Sequence, residues 1–146
     1  MAYLDVIPLE VAKIHLRLED DTFDTEITRM ISSALSVVEM KTNHIMYARS
    51  KEYFPQSGCV RVYDYPINSV DPVADDRKGL YSVFRTCDPL TLNVGYVEPS
   101  EVPRELIDTA LQIIDVWFFG AEKQVNTSLI PQSVWDLLEL HKRYIL

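Results

Sequence analysis

Four carboxylates lie close together in the sequence, between two predicted helices. Glu19, Asp20, Asp21 and Asp24 carry oxygen atoms of the kind that Mg²⁺ and Ca²⁺ prefer as ligands. Their spacing lacks the central glycine of an EF-hand loop. Acidic side chains at a helix start also accept hydrogen bonds from its free N–H groups and favour the positive end of its dipole. We therefore interpret the cluster as a solvated helix cap, and we expect no metal ion and no cofactor.

The other residues with chemical potential are scattered along the sequence. His15, His44 and His141 lie on three different predicted elements, and no serine or cysteine has the surroundings of a known nucleophile motif. Cys59 and Cys87 form no CxxC pair and have no histidine at ligand spacing. The four glycines are isolated, so there is no glycine-rich phosphate loop. We expect no catalytic residues and a protein that is not an enzyme.

Length and charge limit the class of protein further. The 146 residues, 47% of them hydrophobic, are typical of one globular domain covering residues 1–146. A formal net charge of −8 disfavours nonspecific binding to DNA and to anionic membranes, since both reward lysine and arginine. The first residues have no basic segment followed by a long apolar one, and no run approaches the ~20 apolar residues of a membrane span. We expect synthesis in the cytoplasm.

Apolar periodicity predicts four helices, at about residues 8–18, 23–43, 102–120 and 131–144. The second has the strongest pattern, with apolar residues repeating every three or four positions from Ile27 to Val38 and polar ones, Glu39 among them, on the opposite face. Asn43 is a plausible left-handed end for it. Pro103 suits the first turn of the third helix, and Gly120 is a natural end.

The middle of the chain has a different pattern, typical of short strands. Gly, Pro, Asn and Asp separate the apolar runs there, and the stretch 71–79 is polar enough to predict a loop. The predicted strands cover residues 51–55, 60–63, 67–70, 80–84 and 91–94. The fold class that follows is α+β, mainly α: a small helical bundle with an inserted region of β-hairpins or a small antiparallel sheet at about residues 51–95.

Two aromatic residues are candidates for a contact surface. Phe119 follows Trp117 and Phe118, and three neighbours about 100° apart cannot all face one core. Phe119 then lies on the flank, where either a partner or the C-terminal helix covers it. Trp135 lies beside the inward-facing positions of the last helix, and exposed aromatic residues are common in protein interfaces.

The order of these segments resembles the head–tail connector, or adaptor, proteins of long-tailed bacteriophages. The resemblance rests on five stretches that together cover most of the chain, whereas residues 64–89 fit no pattern of the family. They are residues 9–18 with the acids that follow, 26–39, 92–96, 102–106 and 130–144. It implies a helical bundle carrying β-hairpins. It also implies a ring, typically of twelve subunits, that lies beneath the portal, joins head to tail and extends the DNA channel.

The expectations about partners follow from this resemblance. They are further copies of this chain, the portal protein and a downstream neck or tail-completion protein, with DNA passing through without specific binding and no membrane involved. The expected location is the neck of the virion, with synthesis in the bacterial host. We expect the segment 135–146 to contact the portal. The candidate interface residues are Phe119, Trp135, Leu138, Tyr144 and Leu146.

The sequence is also compatible with two other functions. The first is a metal-dependent hydrolase that uses the acidic residues 19–24. The second is a small DNA-binding regulator, because short helices joined by a turn can form a helix-turn-helix. The second predicted helix offers only Arg29 and Lys41 as basic residues, which are few for contacts with phosphates.

Overall fold

The computed structural model describes residues 2–69, 74–78, 81–122 and 130–141. Within them the fold is α+β and mainly α, as the sequence predicts. Its elements are helices α1 (Tyr3–Val6), α2 (Leu9–Leu16) and α3 (Asp24–Thr42), strands β1 (Arg49–Tyr53), β2 (Val60–Val62), β3 (Asp76–Lys78), β4 (Tyr81–Phe84) and β5 (Leu90–Val94), a 3₁₀ helix (Pro99–Glu101), and helices α4 (Arg104–Glu122) and α5 (Gln132–His141).

The helices enclose the larger of two hydrophobic cores. The apolar stripe of α3 packs against α4, and both helices contribute side chains that solvent does not reach. Burying each of these large aliphatic side chains stabilises the fold by ~1.5–3 kcal/mol relative to leaving it exposed. The fully buried residues of the two helices include Ile27, Ile31, Ala34, Leu35, Val38, Leu106, Ala110, Ile113 and Ile114.

The N-terminal segment closes one side of this core. Helix α2 begins after Pro8, whose φ of −61° suits a helix start, and ends at Arg17 in the left-handed conformation. The short helix α1, which the sequence did not predict, places Val6 in the core, and Ile7 follows it there. Because α1 has only four residues, packing rather than helix propensity must hold it.

The strands form two small antiparallel sheets around a second core. Strand β1 pairs with β5 from Arg49 opposite Val94 to Tyr53 opposite Leu90, and β4 pairs with both β2 and β3. The turn at Ser57 and Gly58 has two successive residues with positive φ, the geometry of a tight hairpin turn. The buried residues of this second core are Ile45, Val60, Val62, Phe84, Leu92 and Val94.

Two sequence predictions in the β region are wrong in part. Residues 76–78 form strand β3 instead of a loop. Because β3 pairs with β4 only, it is an edge strand in the described part of the sheet, and backbone pairing there needs no apolar alternation. The predicted strand at 67–70 is reduced among the described residues to one bridge between Ile67 and Val94.

The end of α3 agrees with the sequence prediction, whereas the end of α4 does not. Helix α3 ends at Asn43, which has φ of 61°, as predicted. Gly120 does not end α4, which continues to Glu122. A glycine ends a helix only when the chain leaves in the left-handed conformation, and here the helical hydrogen bonding continues past it. Helix α5 reaches His141, and the predicted extension to residue 144 lies outside the described residues.

Candidate interaction surface

The acidic residues before α3 are organised around a lysine. The Lys13 amino group of α2 lies 2.8 Å from Asp21 Oδ1 and 3.0 Å from Asp24 Oδ1. The contacts with these two carboxylates raise the pKa of Lys13, and Lys13 lowers the pKa of Asp21. The predicted cap is therefore wrong in its detail, because the residue that precedes α3 is Phe23 and no side chain caps the helix there. The carboxylates instead join α2 to the start of α3.

Phe119 belongs to a group of three aromatic rings at one end of the bundle. The Phe118 ring is 95% buried, and it makes edge contacts with Phe119 and with Phe23 at 5.3 Å between ring centres in both cases. Phe119 is half-buried, whereas the relative solvent exposure of Phe23 is 42%. Phe118 thus faces the core, and the two outer rings remain accessible at its margin.

Trp135 is half-buried on α5 and packs at the margin of the larger core. The Lys41 amino group, at the end of α3, lies 4.7 Å from the centre of its ring, within the range of a cation–π interaction. Two strongly exposed apolar residues lie on the same two helices, Met40 on α3 and Leu140 on α5. Trp135 is therefore an accessible aromatic ring, and α3 and α5 each carry a further exposed apolar residue.

The remaining candidate residues have different positions. Leu138 is 99% buried in the helical core, so its side chain holds α5 in place and offers no surface to a partner. Tyr144 and Leu146 lie outside the described residues.

Glu39, which the sequence pattern placed among the polar residues of α3, accepts several hydrogen bonds in the structure. Glu39 is only 7% exposed, and its carboxylate accepts hydrogen bonds from the Tyr3 hydroxyl at 2.7 Å and the Met46 backbone N–H at 2.8 Å. Both terminal nitrogens of Arg49 also donate to it, at 3.1 and 2.8 Å. Glu39 therefore joins α1, α3 and the start of the β region.

The titration of this group follows from its burial. Burial, then the hydrogen bond to Glu39, raises the pKa of Tyr3 to about 12, so its hydroxyl stays a donor at neutral pH. The hydrogen bonds to Glu39 likewise raise the pKa of Arg49. The guanidinium also stacks on Tyr47, 4.7 Å from the ring centre. Because the Glu39 carboxylate has several hydrogen-bond donors and a counter-ion, we assign it a structural role.

A second polar group connects β1 to the chain after β2. Asp64 Oδ2 accepts a hydrogen bond from the Tyr53 hydroxyl and one from Lys51, both at 2.7 Å. Burial, then Asp64, raises the pKa of Tyr53. Since the carboxylate already has a cation and a hydroxyl as partners, this group also secures the fold.

One surface that the sequence interpretation missed lies on the three-stranded sheet. Val60 and Val62 face the second core, whereas Arg61 between them is exposed. Arg61 pairs across the ladder with half-buried Val83 of β4. The alternation of apolar and polar residues along 60–63 is the sequence signal that could have identified this outer face.

Aromatic rings complete this outer face of the sheet. The Tyr63 and Tyr81 rings, both half-buried, lie 5.3 Å apart, and the Arg61 guanidinium lies 6.0 Å from the centre of the Tyr81 ring. We call Arg61, Tyr63, Tyr81 and Val83 the sheet face. It combines a cation with aromatic surface, a composition enriched in protein interfaces.

Two of the three histidines, His44 and His15, have different surroundings in the described part of the chain. His44 Nδ1 and the Tyr96 hydroxyl are 2.8 Å apart and share a hydrogen bond, whereas His15 is exposed on α2. Across the described ranges, no three or more His, Cys, Asp or Glu residues are grouped in a way that could hold a metal ion. Among the helices of the same ranges, none combines the length and apolarity that crossing a membrane requires.

Comparison of the chain with protein-family models, with curated proteins and with solved structures found no match in any of the three.

Proposed function

We propose that this chain is a structural subunit of a tailed-phage virion. Copies of it form a ring of twelve beneath the portal, which joins the head to the tail and extends the DNA channel. The observation that carries the proposal is the order of elements: two short helices and a long one, a β region with its own core, then two further helices that pack with the first three. The resemblance to the connector family rests on this same order.

The surfaces of the domain support an assembling protein. The polar groups around Glu39 and Asp64 hold elements together. The accessible aromatic residues, Phe119 and Trp135, lie instead at the margin of the core, where a partner can cover them. In the proposed assembly α5 with Trp135 faces the portal, and a neck or tail-completion protein binds the other side of the ring.

The proposal also gives a location and a relation to DNA. The protein is made in the bacterial cytoplasm and resides in the neck of the virion. DNA passes through the ring without sequence-specific contact, and the net charge of −8 favours passage over adhesion.

The direct experiment uses DNA-filled heads that lack this protein. Adding the purified chain to such heads, together with tails, should yield joined particles that electron microscopy can count. Purified portal rings should also retain the chain in a sedimentation assay. Absence of both portal binding and joining would contradict the proposal.

The metal-dependent hydrolase has its own test. Calorimetric titration with Mg²⁺ or Mn²⁺ would have to show binding that is lost in an Asp21→Asn variant. Lys13 already lies between Asp21 and Asp24, so a cation would have to displace an ion pair there. No structural observation favours the DNA-binding regulator.

A further inference from the structure

The charges of this acidic protein are unevenly distributed. Residues 60–62 and 75–85, which include β2, β3 and β4, carry four basic residues against two acidic ones. Arg61 is exposed on the sheet face, and it makes no ion pair with any of the described residues. The three strands β2, β3 and β4 therefore have a net positive charge by sequence, in a chain whose net charge is −8.

An acidic region lies on a different element. Four exposed carboxylates run from the 3₁₀ helix onto the outer face of α4, and we call them the acidic stripe: Glu98, Glu101, Glu105 and Asp108. Glu105 and Asp108, three positions apart on α4, lie on the same side of that helix. The only basic residue among them is Arg104, whose side chain is 90% exposed and 3.9 Å from Asp108.

We propose that the sheet face binds the acidic stripe of a second copy of this chain. The two surfaces differ, so the contact is head-to-tail, and such a contact repeats until it closes a ring or continues as a filament. Opposite charges steer the two surfaces together and fix their register, while Tyr63 and Tyr81 supply the apolar area that binding needs. This inference rests on the proposed function, because it identifies the surfaces by which the ring closes.

Charge complementarity selects a second copy over other occupants. The sheet face offers a cation beside aromatic rings, and the same chain displays four carboxylates with one exposed counter-ion. Single-stranded DNA is the other ligand that fits such a face, because its bases stack on aromatic rings and its phosphates attract a cation. The experiment therefore includes it as an outcome.

The test uses full-length variants with reversed charge, Arg61→Glu on the sheet face and Glu105→Lys on the acidic stripe. Both residues are exposed, so circular dichroism and thermal unfolding should match the wild type. Sedimentation velocity over a concentration series should show that each variant self-associates at least tenfold more weakly than the wild type, ~1.4 kcal/mol per tenfold. Arg29→Glu is the matched control, because Arg29 is exposed on α3 and its reversal should leave self-association unchanged.

Mixing the two variants gives the sharper result. Each disrupted contact regains a complementary partner in the other variant, so an equimolar mixture should assemble when neither variant does alone. Raising the salt from about 0.05 M to about 0.5 M should weaken wild-type assembly, since the Debye length shortens accordingly. Assembly of Arg61→Glu at wild-type strength, or no assembly of the mixture, would overturn the proposal.

Two other outcomes would also overturn it, and they separate it from the proposed function. One is a wild-type chain that stays monomeric at every concentration. The other is tight binding of a fluorescent single-stranded oligonucleotide that Arg61→Glu abolishes. Neither outcome affects portal binding, which is measured separately. Loss of portal binding together with normal self-association would instead contradict the connector function alone.

Discussion

Glu39 has a buried carboxylate that accepts hydrogen bonds from three residues. The donors are the Tyr3 hydroxyl, the Met46 backbone N–H and the Arg49 guanidinium. Its partners come from before and after it in the chain, Tyr3 at 36 positions and Arg49 at 10. A buried ion pair adds little net stability compared with apolar packing, but removing one partner is costly, because it leaves the other charge without compensation. The group therefore fixes how α1, α3 and β1 meet.

Replacing Arg49 with alanine should destabilise the protein by about 3 kcal/mol, because Glu39 would keep its burial and lose its counter-ion. Urea unfolding followed by circular dichroism measures the change. Arg29→Ala is the control, since Arg29 pairs with Glu26 on the surface and such pairs contribute roughly 0–1 kcal/mol. Equal losses from the two substitutions would show that Glu39 does not depend on Arg49.

The Tyr3 hydroxyl predicts a specific dependence of stability on alkaline pH. Its pKa in the folded protein, about 12, exceeds the value of 10.0 for an unperturbed tyrosine. The unfolded chain therefore loses this proton first as the pH rises, and the contribution of Tyr3 to stability, complete below pH 10, disappears by about pH 12. Between these values the wild type should lose stability more steeply than Tyr3→Phe. Parallel curves from urea unfolding at several pH values would contradict this.

At the scale of elements, one glycine sets how β5 meets the chain after α3. Gly95 has φ of +108°, and a Cβ there would lie 2.2 Å from the Tyr47 carbonyl oxygen. The backbone of the Tyr47–Ala48 segment thus passes directly against it. Gly58 in the hairpin turn also has positive φ, +77°, but nothing lies within 4 Å of its Cβ position.

These two glycines form a matched pair for mutation. Gly95→Ala should cost roughly 3 kcal/mol or more, because backbone strain and a collision with the main chain add together. Gly58→Ala carries only the strain of a left-handed residue, about 1 kcal/mol. Thermal and urea unfolding of both variants test the order. A Gly58→Ala variant as unstable as Gly95→Ala would refute the steric explanation.

The helices and strands also show which features can be predicted from the sequence. The spans of α3 and α4 were predictable because their buried faces repeat every three or four residues, and Asn43 ends α3 as its type suggested. Strand β3 was not predictable, because its residues are polar and only its partner β4 makes it a strand. Glu39 was missed for a similar reason: burial of a carboxylate depends on donors from elsewhere in the chain.

Some of the candidate surface residues were predictable from the sequence, and others were not. The periodicity of α5 and α4 placed Trp135 and Phe119 beside the apolar stripe, and both are half-buried there. The sheet face was visible only as an alternation between Val60 and Tyr63. These residues become one surface only because β4 brings Tyr81 and Val83 beside β2. Pairing between strands 20 residues apart in sequence is not encoded in either strand alone.

For the whole molecule, the position of α5 decides how its role can be tested. Val134 and Leu138 of α5 are buried in the helical core, at 3% and 1% exposure. Truncation from residue 135 would remove Leu138 from that core, so such a deletion would destabilise the domain as well as remove the surface of α5. Point variants separate the surface of α5 from its buried face.

Trp135→Ala should leave the fold intact and reduce the joining of heads to tails at least tenfold, ~1.4 kcal/mol in binding. The ring is half-buried and covered on one side by Lys41, so its loss should cost less than about 2 kcal/mol of stability. Leu138→Ala should do the reverse: it should cost about 3 kcal/mol in unfolding and join heads normally well below its melting temperature. Counting joined particles by electron microscopy, with unfolding curves for both variants, distinguishes the two effects. If Trp135→Ala joins heads as the wild type does, α5 anchors the domain and some other surface meets the portal.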